Sequence, residues 1–497
     1  MSRALFAVLA GLGLPGLLPA LAVARSWAVA VFLAPLIGAG LAAVAAEPEL
    51  GVGGSFVPWY LLAAAMANAA VVAWWFIAPR RSPSPAGPPW TWSIVMVAVL
   101  LGAMAVPLIG LRTGIIGYDG NVIWLTHTSL VSGGHRELLA GLQNAAYRFS
   151  NPDYPPLVPA AGALALALAG HNDLRVAVQV TAFLNATALG VVGAGVAAVA
   201  SKGRALPRMA AVAAAGVVCL VGFSVTECYY SVGGYADLLW SAAAMGAVVW
   251  GLVLPRNTQS LAVAWICAAV ATLTKNEGLA VGLVLLVLIA LRYRPLTRLW
   301  PRIRPRSGRL GAPAGRAGPD PARRRGVAVW PAARTWAVRA AFVVVPALPG
   351  LAWAALVRAI GVRDAFFASA SAESPGSRAA ATASAMAVHL AVAPVGLAVL
   401  VIGCVFLRRS RRHAGLANPA WLWTAGVLSL AIIFATYVFG SYEIHWWLLT
   451  SVNRTTIFAQ VAVYTDLAIW MVIAFGGGAA RAVRDRPEPA PVTARTH

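Results

Sequence analysis

Residues 112–156 read RTGIIGYDGNVIWLTHTSLVSGGHRELLAGLQNAAYRFSNPDYPP and run directly into Leu157. This is the longest polar interval between apolar runs in the N-terminal half of the chain, and it is far too long for a simple turn. After Asp119, the residues Val122, Ile123, Leu125, Leu130 and Val131, together with Trp124, predict a short helix lying in a membrane interface with the indole at headgroup depth. A loop of this kind needs a membrane on both flanks, and the flanking sequence supplies one.

Apolar stretches near the ~20 residues needed to cross a bilayer fall at 4–24, 27–46, 55–78, 91–111, 174–200, 209–226, 237–254, 260–274, 278–292, 338–357, 384–407, 419–440 and 458–478. The pattern predicts an all-α polytopic membrane protein of about thirteen transmembrane helices with a large external loop at 112–156. Composition agrees, since 60% of the residues are hydrophobic and 11% charged, against about a quarter charged in soluble domains. The opening stretch has no small-residue cleavage site followed by a polar chain, so it reads as an anchor and not as a removed signal.

The net charge of +22 is a topology signal. Placing Arg80-Arg81, Lys202, Arg204, Arg208, Arg256, the 292–339 stretch, Arg408 to Arg412 and the C-terminal tail on the cytoplasmic side satisfies the positive-inside rule. It puts 112–156 outside. With the basic excess so explained, and no aromatic residues interleaved in a binding pattern, no nucleic-acid partner is expected.

The chain divides into extra N-terminal helices over 1–90, a membrane module over 91–292, a basic Pro/Gly/Arg-rich cytoplasmic linker over 293–337 that should be drawn to anionic lipid, C-terminal helices over 338–478 and a tail over 479–497. The apolar run 157–170 is too short to span and ends in His171, Asn172 and Asp173, so it reads as a half-buried or re-entrant helix that protein or a water-filled cavity must cover. Cys219, Cys228, Cys267 and Cys404 show no metal spacing and no disulfide framework.

On this topology Asp119, Asp153, Arg175, Glu227, Asp237, Lys275, Glu277 and Arg454 all lie near span ends on the external face. Lys275 stands out because the chain has two lysines against 36 arginines, and this one occupies a tight turn, Leu-Thr-Lys-Asn-Glu-Gly. A compact ammonium suits a phosphate. The bland alternative is a Lys275/Glu277 ion pair closing the turn. Asp119 is placed to act as a general base toward a hydroxyl, and its bland alternative is a cap for the following helix.

Tyr118-Asp119-Gly120, Asn151-Pro152-Asp153-Tyr154-Pro155-Pro156-Leu157, Gly233-Gly234-Tyr235-Ala236-Asp237 and Leu273-Thr274-Lys275-Asn276-Glu277-Gly278 occur in an order that resembles the GT-C superfamily of membrane glycosyltransferases, near its protein mannosyltransferase and aminoarabinose transferase branch. The resemblance covers about 91–292. It implies Asp119 as catalytic acid/base and Asp237 as the second external acid. It also implies Lys275 as a donor-phosphate contact, with Arg175 at a matching arginine position. Arg454, Asp153, Tyr154 and Glu277 join the expected substrate-binding set. Three spans precede the loop where the family usually has one, and no paired acid follows Tyr118, which points away from a metal.

The implied reaction is inverting transfer of a sugar from a polyprenyl-phosphate donor to a hydroxyl of a glycan, lipid or protein acceptor, without cofactor, at the outer face of a bacterial plasma membrane. Two other classes compete. A transporter or flippase of a lipid-linked saccharide would carry ionisable groups near the bilayer midplane and an internal repeat, whereas the expected spans carry almost no charge apart from Asp466 and no repeat is evident. A scaffolding protein would not need so dense an array of Asp, His, Arg and aromatic residues in one loop.

Overall fold

The computed structural model describes residues 2–24, 26–77, 90–109, 116–169, 173–199, 205–224, 231–293, 329–362, 373–391, 393–409 and 418–484. Among these residues helix is the dominant regular structure and no strand forms. Backbone polar groups cannot be left open in hydrocarbon, and helices satisfy them internally. Arg80-Arg81, Lys202, Arg204, Glu227, Cys228 and most of the expected linker lie outside the described residues.

Among the described residues, seven helices are long and apolar enough to cross a membrane: Arg3–Ala24, Trp27–Gly51, Phe56–Ile77, Leu174–Ala198, Ala340–Ala359, Ala420–Phe439 and Ile444–Ile473. The expected span at 384–407 is two helices, Pro375–His389 and Ala393–Arg409, bent by 71°. Shorter apolar helices, Trp92–Ala105, Arg208–Gly222, Asp237–Val253 and Thr258–Thr272, occupy other expected spans. The chain is thus an all-α membrane protein. The helix after the expected linker begins at Val329, inside the stretch read as linker.

Burial ranks the helices. Leu174–Ala198 is 89% buried over its apolar window and Phe56–Ile77 only 11%, so the first is the axis of the bundle and the second faces lipid. Without a hydrophobic drive between helices in lipid, small residues let backbones close in. A Cβ on Gly190 would strike Phe32, on Gly193 Leu100 and Cys219, and on Gly195 Val249. Trp250 Nε1 donates to Val191 O at 3.0 Å in the same layer.

Three expectations need correction. Trp124 does not sit at an interface: it is 2% exposed, stacked on Tyr154 with ring centroids 5.6 Å apart. The loop folds inward because its helical turns, Gly120–Leu125 and Thr126–Gly133, pack on Leu157–Ala169. The span expected at 27–46 is longer, since its helix runs through Pro48 to Gly51 and carries Glu49 fully buried. Finally, the last span does not start at 458 but at Ile444, and its first helical segment, Ile444–Thr455, carries Arg454. The helix Leu157–Ala169 is short and buried from Leu157 to Leu166, as a protein-covered re-entrant segment requires.

Candidate active site

The Tyr-Asp-Gly and Gly-Gly-Tyr-Ala-Asp motifs interlock through their glycines. Gly117 N–H donates to Gly233 O at 2.8 Å. A Cβ on Gly117 would overlap the Tyr235 ring, and one on Gly120 would overlap the Gly233 carbonyl. Gly234 holds φ at +87°, a left-handed conformation that costs glycine little. This contact sets Asp119 beside the start of the Asp237–Val248 helix, whose N-terminal dipole favours the Asp237 carboxylate.

A second junction brings in the lysine turn. Leu157 N–H, in the Pro-Pro-Leu element, donates to Leu273 O at 3.1 Å, and the Asn276 amide donates to Asp153. Lys275 precedes the helix Asn276–Arg292 in an extended conformation, with φ −159° and ψ 157°. Its Nζ lies 2.8 Å from Asp237 Oδ1 and 3.2 Å from Glu277 Oε1. The turn-closing Lys275/Glu277 pair therefore exists, but it is one arm of a larger network.

Arg454 completes that network. Its Nη1 is ion-paired with Asp119 and lies 3.5 Å from Asp237 Oδ2. Nε and Nη2 donate to Thr450 O at 3.2 and 3.0 Å, which aims the guanidinium. Its helix is held in turn by Tyr437, whose hydroxyl bonds to Ser451 Oγ at 2.7 Å and Thr455 Oγ1 at 3.0 Å. Arg378, fully buried, donates to the carbonyls of Tyr437, Val438 and Tyr442 at 2.6–3.0 Å, so a cation caps the end of Ala420–Phe439 and fixes the turn into Ile444–Thr455.

Each cation also lies over an aromatic ring, Lys275 at 5.5 Å from the Tyr154 centroid and Arg454 at 5.1 Å from that of Tyr235. Such contacts are worth about 0.5–2 kcal/mol each. Burial works against the Lys275 charge, but the carboxylates of Asp237 and Glu277 outweigh it and hold the ammonium above the usual lysine range. Burial, reinforced by Glu277 and Asp153, pushes the Tyr154 phenol well above its ordinary value, so it serves as a neutral ring.

No protein-family model, curated protein or solved structure matches the chain.

Asp119, Asp153, Tyr154, Asp237, Lys275, Glu277 and Arg454 thus meet at one end of the bundle. Arg175 does not join them: it is exposed in the first turn of Leu174–Ala198, where its N–H donates to Asp173 at 3.1 Å. Asp119 starts the helical turns that follow but makes no side-chain capping bond, so its carboxylate is committed to Arg454 and not to the cap. Tyr235 and Asn276 were visible within their motifs without an assigned role, and the adjacency of Tyr235 to Gly233-Gly234 is the signal that could have marked it for close packing. With Asp153 counted, four carboxylates face two cations. Among the described residues no group of three or more His, Cys, Asp or Glu side chains is arranged to hold a metal ion.

Proposed function

We propose that the chain is an inverting glycosyltransferase of the GT-C kind, acting at the external face of a bacterial plasma membrane on a polyprenyl-phosphate sugar, with about thirteen spans. The observation that carries the reading is the shared Arg454: the acids of two motifs far apart in sequence converge on one guanidinium, with Lys275 held against the second acid.

A closed ion network of this kind is poised for exchange. A donor phosphate entering beside Lys275 and Arg454 takes over their charge, and the Asp119 carboxylate, released from its cation, is free to accept a proton. The acceptor hydroxyl attacks the anomeric carbon from the face opposite the phosphate and its proton passes to Asp119. The bond from the anomeric carbon to the phosphate oxygen breaks, and the released lipid phosphate carries the extra negative charge. Lys275 and Arg454 stabilise that charge in a site largely shielded from water. Asp237 holds both cations in place.

Liposomes containing the purified protein, supplied with a panel of polyprenyl-phosphate sugars and hydroxyl acceptors, should accumulate free polyprenyl phosphate together with a glycoside of inverted configuration. The second reading, a lipid-saccharide flippase, is favoured by Glu49 and Asp466, both fully buried within long apolar helices. Asp466 accepts from Trp423 at 3.1 Å, which accounts for it as a clasp between helices. Movement of intact donor between leaflets, with no release of polyprenyl phosphate, would establish that second reading.

A further inference from the structure

A cavity of about 290 Å³ opens beside the lysine turn. Its polar end is formed by Asp153, Asn276 and Glu277, and its walls by Leu279, Leu283, Ala354, Val357 and Ile432. The size is at the small end of ligand pockets and suits a sugar ring with the first methylenes of a tail. Lys275 and Arg454 do not line it. The turn at 275–277 therefore has two sides, one presenting the Lys275 ammonium to Asp237, the other presenting oxygen acceptors to the cavity.

The charge pattern selects the occupant. Two carboxylates and an amide stand at the polar end, and the cation lining the cavity, Arg358, is exposed to solvent screening. A phosphate placed there would face Asp153 and Glu277 and be repelled. An ammonium would compete with Lys275, which already lies 3.2 Å from Glu277 Oε1. Hydroxyl groups meet neither obstacle, and they donate to carboxylates in charge-assisted bonds. Glu277 Oε2 is buried with no hydrogen-bond partner, an acceptor left for such a donor.

The tail has a track. Leu279, Leu283, Val287 and Leu291 recur every fourth residue along Asn276–Arg292, so each lies beside the next and together they form one slowly winding stripe. The first two line the cavity, while Val287 is 46% and Leu291 40% exposed. From Leu279 to Leu291 the helix rises about 18 Å, at 1.5 Å per residue, which gives an acyl or isoprenyl chain an apolar path leading away from the polar end.

We propose that this cavity binds an uncharged glycolipid, its sugar hydroxyls on Asp153, Asn276 and Glu277 and its tail along the Leu279–Leu291 stripe. That this lipid is the hydroxyl acceptor rests on the transfer reading, whereas its binding does not. Glu277 connects the two sides, because the carboxylate that lines the cavity also reaches Lys275 and, through it, Asp237.

The full chain in phosphatidylcholine nanodiscs should be photolabelled by an alkyl glucoside bearing a diazirine in its chain, and the labelled peptides mapped by mass spectrometry. Labelling is expected on the peptides containing Leu279 to Leu291 and Val357. Unlabelled dodecyl glucoside should compete it away, and equal dodecyl phosphate or dodecylamine should not. Ala280→Phe and, on the facing helix, Ala354→Phe should each weaken labelling by about tenfold, the scale of a lost apolar subsite. Labelling confined to other helices, or displacement by dodecyl phosphate or dodecylamine as effective as by the glucoside, would overturn the proposal on wild-type protein alone. Labelling as expected in a protein that releases no polyprenyl phosphate from any donor would leave the glycolipid site standing and refute only the transfer reading.

Discussion

Lys275 Nζ and Asp237 Oδ1 stand 2.8 Å apart with side chains 6% and 1% exposed, a salt bridge shut away from water. Breaking such a pair by removing one member leaves a buried charge and costs about 3–5 kcal/mol. Lys275→Met should therefore lower the unfolding midpoint in detergent markedly, and Lys275→Met combined with Asp237→Asn should recover most of the loss. A double variant no more stable than the single one would show that the pair is not the source of the effect.

The cation–π contact predicts a selective tolerance at Tyr235. Phenylalanine keeps the ring beneath Arg454 and leucine does not. Tyr235→Phe should retain near-normal stability and turnover, while Tyr235→Leu should lose about 0.5–2 kcal/mol of stability and a corresponding part of its rate. Equal loss in both variants would assign the role to the hydroxyl.

The interlocked glycines give a steric prediction. Gly120→Ala would press a methyl group on the Gly233 carbonyl, whereas Gly102→Ala, in the Trp90–Ile109 helix, meets nothing within 4 Å. The first should uncouple Asp119 from Asp237 and abolish activity. The second should be neutral, or gain up to about 1 kcal/mol from helix propensity. Thermal unfolding and turnover of the two variants, measured together, check both halves.

His127 makes the loop sensitive to acid. Burial pushes its imidazole down to about 4 from 6.5, so the folded state holds it neutral, with Nε2 3.1 Å from Ser150 Oγ. Because the folded value lies below the unfolded one, the stabilisation is complete above pH 6.5 and is lost as pH falls from there toward 4. Hydrogen exchange in residues 118–156 should accelerate across that interval, and His127→Gln should flatten the dependence. An unchanged profile in that variant would mean that another group titrates.

Much of the site was legible because its motifs sit at helix ends, where a charge beside an apolar run has few places to go. Asp119, Asp153, Asp237, Lys275 and Glu277 were all readable in that way. The partnership of Asp119 with Arg454 was not, since 335 residues separate them and a contact across that distance leaves no local pattern. Trp124 was misplaced because an apolar stripe with one indole fits an interface and a buried face equally well, and only the packing against Tyr154 decides between them. The span expected at 27–46 fell short because its apolar run stops before Glu47, yet the helix continues through Pro48 to Gly51.

The most direct test of the central claim is turnover per folded molecule for Asp119→Asn, with polyprenyl-phosphate sugar as donor and released polyprenyl phosphate as the readout. The substitution keeps volume and removes the base. The account predicts a fall of about 10²–10⁴-fold, the usual worth of a general base, with donor binding intact. A variant that retains more than about a tenth of the wild-type rate would contradict it.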